Sequence, residues 1–300
     1  MINGNKWENR IFIASMIGWP VIHWLIFVLY MNIQTISYSF QRFNKFIGIM
    51  QFVGFDNYVD LYDMILNNTE GYAIAFRNTL LWLMLNVFAI IPIALVVAYF
   101  LSKRIPLSRF YNTVFFIPNI ISIVILTMIW AFMWSPDQGV INGLLDLTGL
   151  SQFKRVWLGD YKTALPVIFV YCVWAGIGWN NLILGGAISK IPKEIFEAAQ
   201  IDGVSNIQEF FYIVIPSVWS TIVTVAIIGA AAAFRVFLHP QLLTNGQYDT
   251  ASVALKLVES VVTTGDYGLA SATGITLTII GFIIVYIIRH YMDKLDNHWS

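Results

Sequence analysis

Charge is what this 300-residue sequence has least of. Asp, Glu, Lys and Arg make up 11% of it, against about 25% in ordinary soluble domains. A chain that is 58% apolar cannot cover a water-exposed surface with so few charges, so much of it must face lipid. The same apolar content excludes disorder. Neither sign is in excess, 17 basic residues against 17 acidic, and no Lys/Arg-rich run exists, which removes the electrostatic footing for nucleic-acid binding. Cysteine is nearly missing. Cys172 stands alone in an apolar run, so neither an intramolecular disulfide nor a cysteine zinc cluster can form, and a small packed side chain is its expected role. The histidines (His23, His239, His290, His298) have no i, i+4 pairing and no acid at ligand spacing, so no metal site is expected. No G-x-S-x-G or Ser-His-Asp arrangement stands out, which leaves a hydrolase without support and the expected catalytic residues at none. There is also no G-x-x-x-x-G-K-[ST] phosphate loop.

Long apolar runs are what the sequence does have. A bilayer core of about 30 Å needs about 20 apolar residues per helix. Six runs meet this, roughly Ile11–Tyr30, Thr79–Leu101, Val114–Met133, Leu165–Leu184, Val218–Phe237 and Ala270–Ile288, and none contains Asp or Glu. The expected fold is therefore all-α, a polytopic membrane protein with six transmembrane helices. The first run is too long for a signal-peptide core and is not followed by a small-residue cleavage site, so it is expected to be a retained span. No internal repeat or low-complexity linker divides the chain, and residues 1–300 read as one membrane domain with its core at about 75–290. Trp and Tyr gather near the span ends, as headgroup anchors do.

Lys and Arg in the connections give an orientation. One side collects Lys6, Arg10, Lys103, Arg104, Arg109, Lys190, Lys193, Arg289 and Lys294; the other collects Arg42, Lys45, Arg77, Lys154, Arg155, Lys162 and Lys256. The first side is about twice as dense in positive charge, which places both termini in the cytoplasm.

The connection between the fourth and fifth runs, Ser189 to Pro216, reads as two short helices with a break. Pro192 suits a first helical turn. Glu194 and Glu197 suit the positive end of the helix dipole. Gly203 fits a left-handed position after a helix, and Ser205 with Gln208 form a capping box that starts the next one. Ile195, Ala198, Ala199 and Asp202 share a face, small in its middle and charged at its rim. Such a helix can transmit a push from a partner, or it can rest on the membrane surface as an amphipathic helix.

Glu197-Ala198-Ala199-x-x-Asp202-Gly203, followed by Phe210, Ile213 and Ile215-Pro216, resembles the EAA signature of the inner-membrane permeases of binding-protein-dependent ABC importers. Phe52 to Tyr58, Phe76-Arg77-Asn78-Thr79-Leu80, Phe116-Ile117-Pro118, Gly139 to Asn142, Leu243 to Gly246 and Tyr267 to Ala272 look like the carbohydrate-uptake branch, which includes the maltose and glycerol-phosphate permeases. The sequence departs from that branch at Gly246-Gln247-Tyr248 and over Ala254 to Glu259. The resemblance implies a coupling helix at about 193–202 that docks on a separate ATPase. Glu197 would pair with a basic group there, Ala198 and Ala199 would allow close approach, Asp202 would stand at the rim, and Gly203 would make the turn. It further implies a second permease subunit, an ABC ATPase dimer, an extracellular or periplasmic solute-binding protein, and a bacterial cell membrane location. The chain itself would hold no cofactor; ATP and Mg would belong to the ATPase. The expected solute is a sugar or oligosaccharide, with glycerol phosphate, polyamines or another polar solute as alternatives.

Polar and aromatic groups inside the runs are the candidate substrate path. Asn180 and Asn181 must face protein or water, either to meet sugar hydroxyls or to join helices. Tyr171, Trp174 and Trp179 could stack on sugar rings; Asn119 and Trp130 are of the same kind. Arg235 is either a functional intramembrane charge or a snorkelling side chain. Gly229 to Ala233 and the small residues Ala270, Ala272 and Gly274 suit tight helix packing. A stand-alone channel or secondary transporter is the rival, but it would need ion-coupling acids that the runs lack.

Overall fold

Two prolines show how this chain keeps long helices in spite of helix breakers. Proline lacks an N–H and its ring clashes with the carbonyl four residues back. In the computed structural model, which describes residues 6–44, 47–103 and 105–299, Pro92 follows a π turn at Asn86–Ile90 and Pro216 follows one at Phe210–Val214. The residue before each proline donates five residues back, Ile91 to Asn86 O and Ile215 to Phe210 O. The wider turn makes room for the ring without ending the helix. Lys45 and Arg104, two of the charges used for orientation, lie outside the described residues.

The chain divides into two compact units. One comprises residues 1–63 and 257–276; the other comprises 64–256 and 277–300. In the first, helix α1 (Arg10–Ser39) is long and apolar enough to cross a membrane and exposes its large side chains along its length. Strands β1 (Gln41–Asn44) and β2 (Ile49–Phe52) pair antiparallel, Gln41 opposite Phe52. Helix α2 (Asp56–Leu66) follows. Asn57 is fully buried and stitches this unit: its Nδ2 donates to Ser39 O and Gln41 O, both at 2.9 Å, and its Oδ1 accepts from Arg42 at 3.0 Å. Arg42 also pairs with Asp60. The Asn-Tyr segment noted in the sequence is thus a fastener for the hairpin. Gly268 completes it, because a Cβ there would overlap Gln41 O.

The second unit is helical. Helical stretch α3 (Thr69–Ser102), helices α4 (Ser108–Ile120) and α5 (Ile123–Met133), the short α6 (Val140–Leu147) and the long α7 (Ala164–Ile188) come first. Then come α8 (Lys193–Ile201), α9 (Asn206–Ser217), α10 (Trp219–Ala233), α11 (Leu238–Thr244) and α12 (Val253–Glu259). Helix α13 (Tyr267–Trp299) begins in the first unit, to which residues 257–276 belong, and its remainder belongs to the second. The core joins Ile91, Ala94, Leu95, Ala98 and Tyr99 of α3 to Ile177, Leu184 and Ile188 of α7 and to Val218, Ile222 and Ala226 near α10. Asn78 is fully buried; its Nδ2 donates to Asp249 O and Ala251 O at 2.7 and 2.9 Å, while Thr79 Oγ1 accepts from Val253 N at 3.1 Å. The Asn-Thr pair at the start of the second run therefore holds the 249–253 loop.

Four of the six expected runs are single helices of spanning length; the other two are bent pairs. The third run, Val114–Met133, breaks into α4 and α5 at an angle of 104°, where Ile121 and Ser122 turn extended just after Pro118. Pro118 removes one ladder donor, and the two extended residues end the helix outright. The fifth run, Val218–Phe237, begins beyond a 73° bend between α9 and α10 at Val218, and its helix stops at Ala233. Arg235 consequently sits in the exposed turn after α10.

Candidate functional site

Helix α8 is fixed at its C-terminal end by local chemistry. Gly203 takes φ +72°, the left-handed region that glycine enters without a side-chain penalty. The Val204 N–H donates to Ala199 O at 2.9 Å and the Gly203 N–H to Gln200 O at 3.2 Å, a Schellman arrangement. Two residues later the capping box closes: Ser205 N donates to Gln208 Oε1 at 3.0 Å and Gln208 N donates to Ser205 Oγ at 3.4 Å. Pro192 is the residue before the helix, with extended ψ, rather than part of its first turn.

The faces of α8 separate the five residues proposed from the sequence. Glu197, Ala198, Asp202 and Gly203 are exposed, together with Ile195 and with Ile201 at 86%. Ala199 is buried at 5% and turns toward the protein, so it does not share the outward surface with Ala198. Phe196 packs against the core beneath.

What holds the second half of this segment is a contact that the sequence reading did not single out. Glu209 is 3% exposed. Its Oε2 accepts from Lys103 Nζ at 2.6 Å and its Oε1 from Tyr99 OH at 3.2 Å, and the same hydroxyl lies 3.1 Å from Asn206 O. The Lys103 ammonium also sits over the Tyr99 and Phe196 rings, 5.3 and 5.4 Å from their centroids. The end of α3 is thereby tied to the α8–α9 segment by a buried charge pair and a cation–π contact. An acid placed directly before the apolar Phe210-Phe211 pair was the signal for it.

The intramembrane amides mostly join helices. Asn181 Nδ2 donates to Asn112 Oδ1 at 3.0 Å, linking α7 to α4. Asn180 bonds its own helix at Gly176 O, 2.9 Å away, and Asn119 reaches Ala175 O at 3.2 Å. Beside them, Gly178 admits the Phe115 carbonyl into a space that a Cβ would fill. Trp130 is buried, stacked on Trp174 at 5.7 Å and edge-on to Tyr171 at 5.6 Å. Trp179 is exposed. Of the proposed path residues, Asn119 and Tyr171 line one cavity of about 410 Å³ between α3, α4, α5, α7, α10 and α11; Trp82, Asn86 and His239, not singled out from the sequence, also line it. Among the described residues, no group of three or more His, Cys, Asp or Glu could hold a metal ion.

The chain is similar to known proteins. A family model described as binding-protein-dependent transport system inner membrane component matches residues 90–296. The Bacillus subtilis probable ABC transporter permease protein YurN is 30% identical over 284 residues, 93% of this chain and 94% of that protein. The Streptomyces coelicolor diacetylchitobiose uptake system permease protein NgcF is 28% identical, over 92% of this chain and 81% of its own length. The fold is shared with a solved bacterial ABC transporter that imports the acidic polysaccharide alginate, at TM-score 0.83 and 23% identity over 96% of both chains. With its capped segment before the last spans and a match covering most of its length, this chain belongs to the family of binding-protein-dependent transport system inner membrane components.

Proposed function

We propose that this chain is a permease subunit that forms part of the translocation path for a sugar or oligosaccharide, and that α8 is the lever through which a separate ABC ATPase moves it. The observation that carries this is the geometry of α8. It presents Glu197, Ala198, Ile201 and Asp202 outward on a helix whose end is fixed by Gly203, the capping box and the Lys103–Glu209 pair. A rigidly mounted, outward-facing short helix suits force transfer better than lipid contact, since its exposed face mixes acids with a small residue. The relative named for diacetylchitobiose uptake supports a carbohydrate as the solute.

The assembly that follows contains a second, related permease, two copies of the ATPase and a solute-binding protein outside. ATP and Mg bind in the ATPase, which supplies the hydrolysis; this chain binds the ATPase and transmits its movement. Both termini and α8 lie in the cytoplasm. Reconstitution of the complete transporter tests this: Glu197→Arg and Gly203→Val are expected to abolish ATP-driven saccharide uptake while both variants remain inserted in the membrane. Wild-type uptake in both overturns the role of α8. Labelling of a cysteine at position 201 from outside intact cells overturns the orientation.

A further inference from the structure

Lys103, at the C-terminal end of α3, reaches both halves of the segment that follows α7. Its Nζ donates to Glu209 Oε2 of α9 at 2.6 Å and stands 5.4 Å from the centroid of the Phe196 ring of α8. Tyr99, one turn earlier, donates its hydroxyl to Glu209 Oε1 at 3.2 Å and lies 3.1 Å from Asn206 O. The end of α3 therefore grips α8 and α9 on either side of the break at Gly203. Along the chain, α8 continues only into α7 before it and, through α9, into α10 after it. The contact at Lys103 is a further connection, and it leads elsewhere. Four residues past Lys103 the backbone turns at Leu107, φ +62°, into α4, the first half of the span bent by 104°. Asn112 then fastens α4 to α7.

A charge pair is an expensive way to make a static joint. Glu209 and Tyr99 are 3% and 2% exposed, and burying a carboxylate costs desolvation that apolar side chains of similar volume avoid. What charge adds is direction. Apolar contact is non-directional and lets surfaces slide, whereas a buried carboxylate must keep its cation. The lysine stem is long and flexible, so the ammonium can follow the carboxylate as helices shift.

We propose that Lys103 and Glu209 are positioning residues that carry the displacement of α8 sideways into α3 and α4, so that the bent span moves with the ATPase-driven segment. The inference rests on the role proposed for α8 above and adds a route separate from the covalent links to α7 and α10.

The test separates holding from transmitting. The complete transporter, with its ATPase and solute-binding protein, is reconstituted in proteoliposomes. Import per ATP hydrolysed is measured with radiolabelled maltotriose, cellotriose, xylotriose and diacetylchitobiose. Lys103→Met combined with Glu209→Leu replaces both charges by apolar side chains and leaves no charge unpaired. This double variant is expected to melt above both single variants and to keep its ATPase, yet to import about tenfold less saccharide per ATP. Lys103→Arg, which keeps the cation, is expected to stay within about threefold of wild type. A second measurement is independent of the saccharide and of how well the double variant folds. Spin labels at Ile207→Cys of α9 and Phe110→Cys of α4, both exposed positions, are placed in a Cys172→Ala background. They are expected to keep one separation in the nucleotide-free and ATP–vanadate states. Wild-type import per ATP by a folded double variant overturns the relay, and so does a 207–110 separation that changes between the two states. Absence of import by the wild type with every probe counts against the saccharide permease proposed above, and the spin-label separation still decides the relay.

Discussion

Lys103 at the end of α3 and Glu209 at the start of α9 meet at 2.6 Å although they are 106 residues apart in the chain. Glu209 is almost fully buried, so the pair is not a surface ornament. Removing one member of a buried pair leaves the other charge uncompensated, which costs about 3–5 kcal/mol, with the lower end applying here because Lys103 is partly exposed. Glu209→Ala is expected to lower the thermal stability of the purified complex more than Glu209→Gln, and Tyr99→Phe by only about 1 kcal/mol. Thermal unfolding of the three variants in one detergent checks the order.

Gly203→Ala is expected to cost about 1 kcal/mol through the left-handed backbone at φ +72°, with open space around the added methyl. The effect is a penalty on the turn, not a clash. Hydrogen exchange is expected to speed up in the last turn of α8 and in the capping box while α7 stays protected.

Gly178 and Gly229 respond differently to the same change. A methyl at Gly178 meets the Phe115 backbone carbonyl, which cannot step aside without moving α4; a methyl at Gly229 meets the Asn86 side chain, which can. Gly178→Ala is expected to destabilise by several kcal/mol and to resist rescue. Asn86→Ala is expected to restore much of the stability lost in Gly229→Ala, with a coupling of about 1 kcal/mol or more in a double-mutant cycle.

How much of this was legible follows the distance over which each feature is determined. Gly203, Ser205 and Gln208 could be read because a helix stop and a capping box are fixed within a few residues. The six apolar runs could be read because lipid imposes length and composition. The 104° break after Pro118 was only half legible: the proline was visible, but extension at Ile121 and Ser122 depends on what α4 and α5 pack against. The inward turn of Ala199, the Lys103–Glu209 pair and the cavity around Asn86 were not legible. Each arises where distant segments meet, and single-sequence periodicity does not report pairing.

A pH dependence follows from His239. Burial pushes its imidazole from 6.5 down to about 4. Between those values the unfolded chain binds a proton that the folded chain refuses, so the folded state loses stability as pH falls from about 6.5 toward 4 and keeps this contribution in full above 6.5. The melting temperature is expected to fall across that window in the wild type, and His239→Gln is expected to remove part of the slope. Equal slopes in the two proteins count against a buried neutral imidazole.

The π turns before Pro92 and Pro216 give chain length a meaning separate from side-chain chemistry. Each carries one residue more than an α turn, and so sets the angular phase of everything downstream. Deleting a residue inside the π turn, such as Val87, would leave an ordinary α turn with the phase kept, whereas deleting one beyond it, such as Ile93, would rotate the remainder of α3 by about 100°, swinging the Ala94-Leu95-Ala98 stripe off α7 and carrying Lys103 away from Glu209. Point substitutions along this helix test contacts one at a time; a one-residue deletion beyond the turn would shift every one of them at once.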